Sequence, residues 1–239
     1  MTRRVPRRKP SRATGSLRAR VASEIAYRVR RAPRARRVRV RIDPHHGVEV
    51  VLPPRTPERA AAAAVSELAP WIRRRLTELR LARARLAPEA GWLPYLDGRL
   101  RIVAEPGRSR VHRREDTLLV PEGDGASDAL ERWYRRAARE EIARRLDSAT
   151  ALAGSRYTSL AIRNQRTRWA SCAAGGAMSF NWRLLLGPER VLDYVVWHEV
   201  CHLEVPDHSA RFWSLLERRC PHWREAAAWL RHNGSALVL

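Results

Sequence analysis

Lysine is nearly missing from this chain: of 47 basic residues in 239, Lys9 alone is lysine and the rest are arginine. Such a bias fits base composition as well as it fits function, so the charge must be located before it is read. Cysteine is scarce too. Cys172, Cys201 and Cys220 show no C-x-x-C spacing, which excludes a disulfide framework and a thiolate zinc cage. They read as small packing residues in a reducing, cytoplasmic setting. No apolar run approaches the roughly 18 residues of a membrane-spanning helix. No apolar segment follows the first arginines, so no secretory signal is expected. What is present is a hydrophobic fraction of 44%, sufficient for a core and too high for wholesale disorder.

The net charge is +22, and it is unevenly placed. Residues 1–41 hold Lys9, 15 arginines and one acid, Glu24, for +15; the other 198 residues hold 31 basic and 24 acidic groups, for +7. The acid-free stretch from Thr2 to Ser23 reads as a solvated, disordered tail that could touch nucleic acid nonspecifically. An organelle transit peptide is the less favoured reading of the same composition.

Further along, Val38, Val40 and Ile42 alternate with Arg37, Arg39 and Arg41, a half-buried strand. Asp43-Pro-His-His-Gly47 supplies a turn and Val48–Leu52 a second strand, making a hairpin; His45 and His46 read as solvated turn residues. Helix is expected from Glu58 to Leu86 with a break near Pro70, then two or three short strands over 91–121. Another helix runs from Ser127 to about Leu152, where Glu140–Arg144 and Glu141–Arg145 read as solvent-facing pairs. Strands return over 159–186, with Gly175-Gly176 as a hairpin turn. Gly187-Pro188 opens an apolar helix stopped by Pro206, and helices over 209–219 and 222–231 follow. No sequence repeat is apparent. Three stretches are expected: the basic tail 1–23, a β-rich and helical region 24–125, and a metal-binding catalytic region 126–239.

The proline-stopped helix carries His198-Glu199-Val200-Cys201-His202. Histidines four apart stand on one helical face, so two imidazoles can hold one metal ion. Glu199 projects about 100° away, where it can reach a metal-bound water as general base without being a ligand. Zinc suits two or three neutral imidazoles with an open position. Chance produces the pattern in roughly 2% of chains of this composition, and the flanking Val195, Val196, Trp197 and Leu203 make the helix a buried one.

A third ligand is needed. His208, just beyond Pro206 where the chain turns back, is the first choice; Glu204, Glu217 and His222 compete. The spacing of His198, His202 and His208 also matches the metzincin pattern. However, Val205 stands where that pattern has glycine, and Met1 and Met178 both precede the site, so no methionine turn can follow.

The segments Arg163-Asn-Gln-Arg-Thr-Arg-Trp169, Ala170-Ser-Cys172, Ser179-Phe-Asn-Trp-Arg-Leu184, Tyr194-Val-Val, His198-Glu-Val-Cys-His-Leu203 and His208-Ser-Ala-Arg-Phe-Trp213 together resemble the YgjP-like metal-dependent hydrolases. That family is related to the SprT-like and WLM zinc-protease domains. The resemblance is dense over 160–230 and looser upstream. It implies an α+β fold with a zincin-like core, in which a small antiparallel sheet packs the active-site helix and an N-terminal β-hairpin and helix region precedes it. It also implies His198, His202 and His208 as zinc ligands and Glu199 as catalytic acid and base. Ala170 replaces a usual glycine, and Val200-Cys201 a commoner Leu-Ala; both changes leave the ligands intact.

Arg163, Arg166 and Arg168, with Asn164 and Gln165, are candidates for holding a substrate carboxylate, phosphate or backbone, against a plain solvated strand face. Trp169, Trp182, Trp197 and Trp213 read as core. The leading reading is a zinc metallopeptidase acting on a peptide or protein. One rival is a phosphohydrolase using the same site on an anionic, nucleotide-like small molecule. The other is a nucleic-acid-binding protein with structural zinc. No membrane partner is expected.

Overall fold

The computed structural model describes residues 20–43, 46–165 and 168–239. Residues 1–19, His45 and Arg166 therefore lie outside the described residues. The chain divides into two units, one up to Thr77 and the other from Glu78.

In the first unit, β1 (Arg20–Ala22), β2 (Ile25–Arg31), β3 (Arg39–Asp43) and β4 (Gly47–Leu52) form a sheet in the order β1-β2-β4-β3. The β3–β4 hairpin is the one its alternation predicts. β1 takes up residues 20–22 of the expected tail. β2 was not anticipated, although Ile25, Tyr27 and Val29 alternate there as well. Those three residues, with Val48, Val50 and Leu52, pack against Ala61 and Val65 of α1 (Arg59–Glu67) and Ile72 of α2 (Ala69–Leu86). The two helices meet at Leu68, next to the proline expected to interrupt them.

The second unit opens with β5 (Trp92–Tyr95), β6 (Gly98–Glu105), β7 (His112–Arg114) and β8 (Thr117–Pro121), ordered β5-β6-β8-β7. These strands share a core with the helix that follows, α3 (Ala126–Ala153): Leu100, Leu118 and Val120 pack with Trp133, Tyr134 and Ala138. The strands of 92–121 bury their apolar side against α3 and so lie with it in the second unit. Gly154 ends α3 in the left-handed region at φ 62°, with its own N–H and that of Ser155 capping the last turn.

A third sheet, β9 (Ser159–Arg163), β10 (Ala170–Cys172) and β11 (Ala177–Asn181), is ordered β10-β11-β9. It is mixed, not the small antiparallel sheet expected: β10 and β11 form the predicted hairpin, while β11 runs parallel to β9. A 3-10 turn over Trp182–Leu186 leads into α4 (Glu189–Cys201), then α5 (Ala210–Arg219) and α6 (Trp223–Asn233).

One pattern occurs three times. A strand is followed by a hairpin whose second strand returns parallel to it, and a helix comes next: β2, β3–β4, α1; β6, β7–β8, α3; β9, β10–β11, α4. The repeat is one of backbone topology, invisible in a sequence whose side chains differ from copy to copy. The third copy carries the His198 helix.

Arg145 corrects the reading of α3 as solvent-facing along its charged stripe. Only 8% exposed, it bonds Glu141 at 2.8 Å and ion-pairs with Glu189 and Asp193 of α4. Its guanidinium fork ties the first turns of the metal-motif helix to α3, with three carboxylates sharing its donors.

Candidate metal centre

Pro188 enters α4 in an extended conformation and Glu189 occupies its first turn, as the sequence signals predict. The helix buries Val191, Leu192, Val195, Val196 and Val200, so the register of the remaining positions is fixed. His198 and His202 then share one face, their ring centroids 4.9 Å apart. After His202 the chain tightens through turns, and Asp207 Oδ1 accepts the Ser209 N–H at 3.0 Å. That turn brings His208 back, placing its Nε2 3.0 Å from Nε2 of His198.

One nitrogen from each of His198, His202 and His208 lies within 4.8 Å of the other two, and no other such group of three occurs among the described residues. Nitrogens about 2.0–2.1 Å from a tetrahedral ion stand roughly 3.3 Å apart, so small side-chain rotations would place all three on one ion. His202 Nδ1 lies 3.1 Å from the Val205 carbonyl. Donation there fixes the tautomer and leaves Nε2 with its lone pair free. Burial, then His202 and His208, pushes His198 down to about 4, and burial also lowers His202. Neutral imidazoles are the form a metal binds.

Glu199 is buried at 5% exposure. One carboxylate oxygen accepts the backbone N–H of Cys172, and Oε2 has no hydrogen-bond partner. Burial pushes the carboxyl up to about 7, against the opposing pull of the Cys172 N–H and the Arg168 guanidinium. A buried carboxylate oxygen left unpaired is costly, and a water held at the three histidines would satisfy it.

Strand pairing explains the Cys172 contact. Residues 169 and 173 bond to β11, so Ala170 and Cys172, in between, turn their amides outward from this edge strand. α4 runs along that edge.

The sequence matches the model of the YgjP-like family, metallopeptidase domain, over residues 36–233. The chain belongs to the YgjP-like family. Searches of the curated proteins and of the solved structures gave no match. Membership makes the protein a metal-dependent hydrolase with a metallopeptidase domain, and among its described residues no helix is long and apolar enough to cross a membrane.

Within this YgjP-like domain the competing ligands are engaged elsewhere. Glu204 pairs with Arg219, Glu217 accepts from Trp223 Nε1 at 2.7 Å and pairs with Arg224, and His222 is exposed ahead of α6. The Cys201 thiol packs among Val205, Phe212 and Leu216. Arg163 is exposed at the end of β9, whereas Asn164 is held by Arg183 and, at 3.4 Å, Glu131. Among the described candidates, Arg168 alone acts electrostatically on Glu199.

Sequence reasoning overlooked Phe212. Fully buried, it stacks on His202 at 4.5 Å and meets His198 and His208 edge-on at 4.9 and 4.8 Å. It is the apolar floor that holds three rings together, and its one signal was its position four residues after His208 on an amphipathic helix. Trp213 lies 5.6 Å from His208 and stacks on Trp223 at 4.7 Å, so it lines the site as well as the core.

Proposed function

We propose that this protein is a zinc-dependent metallopeptidase in which His198, His202 and His208 hold the ion and Glu199 moves the proton. The observation that carries the reading is the pairing of three converging imidazole nitrogens with a buried carboxylate, one residue along the same helix, whose Oε2 is unpartnered. When bound, the ion supplies a water acidic enough to lose a proton near neutral pH and a positive charge facing the scissile carbonyl oxygen. Neutral nitrogen donors without thiolates favour zinc.

The chain's own groups do the rest. Glu199 is held by the Cys172 N–H so that its free oxygen accepts a proton from the attacking water, then returns it to the leaving amine. Phe212 and the buried helix keep bulk water from the far side of the rings. Arg168, whose charge acts on Glu199, would hold an anionic group of the substrate such as a peptide carboxylate.

Glu199→Gln should retain one equivalent of zinc, by metal analysis, while abolishing peptide hydrolysis. Assaying peptide and nucleoside triphosphate side by side on zinc-loaded protein separates peptidase from phosphohydrolase chemistry. Turnover of the triphosphate alone would overturn the peptidase reading.

A further inference from the structure

We propose that the outer face of the first sheet is a docking surface for the phosphate backbone of a nucleic-acid duplex. The inference is independent of the reaction proposed for the histidine site. The inner face of this sheet is core, so by the period of two the alternate residues face outward. In the pairing register, Arg28 and Arg41 flank Glu49, while Arg30 and Arg39 flank Val51. Four guanidinium side chains thus stand in two rows, about 6.7 Å apart along a strand and about 9.5 Å across two strand spacings.

Glu49 is the single acid in this lattice, giving the face a charge of +3. It bonds Arg30 at 3.1 Å and pairs also with Arg41. Arg28 and Arg39 have no ion pair among the described residues. Glu49 and Val51, set between the arginines, are only 8% and 6% exposed. Arg30 and Arg41 are braced by Glu49 and lose less freedom when they meet an anion. In sequence, β1 is preceded by residues 1–19, which hold seven cations and no acid.

A two-dimensional array of closely spaced cations fits a polyanion with closely spaced charges, and nucleic-acid backbone is one. No aromatic residue stands at these outward positions, so there is no surface for base stacking, on which single-strand binding depends. The contacts reach phosphates only, and the binding carries no sequence preference.

The test is fluorescence anisotropy of the full chain with 20-base-pair duplexes of unrelated sequence, across a salt series. Two variants are compared with wild type: Arg28→Gln/Arg39→Gln, and the full chain with the seven cations of residues 1–19 changed to glutamine. Losing two phosphate contacts should make the salt slope shallower by about 1.8 and weaken binding roughly sixtyfold near 0.1 M salt. The tail variant should keep a slope of roughly −2.7 from the net three positive charges of the face. On unmutated protein, phenylglyoxal labelling read by mass spectrometry should show Arg28 and Arg39 protected by duplex; this readout stands even if the double variant misfolds. The proposal is overturned if the double variant binds as wild type does, or if the tail variant loses all binding. Equally tight binding of single strands or polyglutamate, or unprotected Arg28 and Arg39, would also sink it.

Discussion

Replacing Glu199 by glutamine should stabilise the metal-free protein, and the gain should grow with pH. Burial moves the Glu199 carboxyl from 4.5 to about 7. Between those values the native state keeps a proton that the unfolded chain has released. Wild-type stability therefore falls as pH rises through this window and levels off above about 7. At about 1.4 kcal/mol per pH unit the full effect is ~3 kcal/mol. Glutamine cannot ionise, yet its carbonyl still accepts the Cys172 N–H. The stability difference between variant and wild type should thus be near zero at pH 4.5 and about 3 kcal/mol at pH 8, or about 6–12 °C in Tm. The neutral burial of His198 adds a slope of its own at low pH, but that slope is common to both proteins and cancels. Urea and thermal unfolding of chelator-treated protein from pH 4.5 to 9 measures the difference. Zinc should shrink it, since a cation beside the carboxylate favours the ionised form. A difference independent of pH, or a variant less stable than wild type at pH 8, would refute the reasoning.

Phe212→Ala should cost about 3–5 kcal/mol in unfolding free energy and weaken zinc binding, because the floor beneath three ligand rings is removed; calorimetric titration with zinc reads the second effect. A Cβ on Gly234 would lie 2.7 Å from Cζ2 of Trp169, so Gly234→Ala should destabilise by about 1–3 kcal/mol in urea. Arg145→Met should lower stability by roughly 2–3 kcal/mol, since Glu141, Glu189 and Asp193 lose their common partner; a neutral result would mean that the tie between α3 and α4 is solvent-screened. Glu24 sits at φ 62° in the β1–β2 turn, so Glu24→Gly should raise stability by about 1 kcal/mol, visible as a shift in Tm.

The metal-motif helix was legible because its information is local. Gly187-Pro188 starts it, the apolar stripe fixes its register, and four-residue spacing aligns His198 with His202. His208 was reachable because Pro206 forces the chain to turn. Phe212 was not, since its role comes from tertiary packing that places its ring under residues of another helix. Arg145 was misread for a related reason. Its spacing from Glu141 satisfies the rule for an exposed helical pair, and only the approach of α4 makes it a buried fork. β2 went unseen because Arg28 and Arg30 at its outward positions extend the basic run before it. The parallel pairing of β9 with β11 had no local signature at all, since parallel partners are set by crossovers rather than turns.

The threefold strand, hairpin and helix pattern has a consequence for how this enzyme can vary. In each copy a connection of similar length, residues 32–38, 106–111 and 164–169, leads from the first strand to the hairpin, and each bears arginines. In the third copy that connection contains Arg168, whose charge reaches Glu199. The three clustered histidines lie elsewhere, on α4 and the turn after it. On the proposed mechanism, recognition and reaction would sit on separable pieces of chain: a changed crossover loop would retune what is held and leave the histidine-bearing helix as it was.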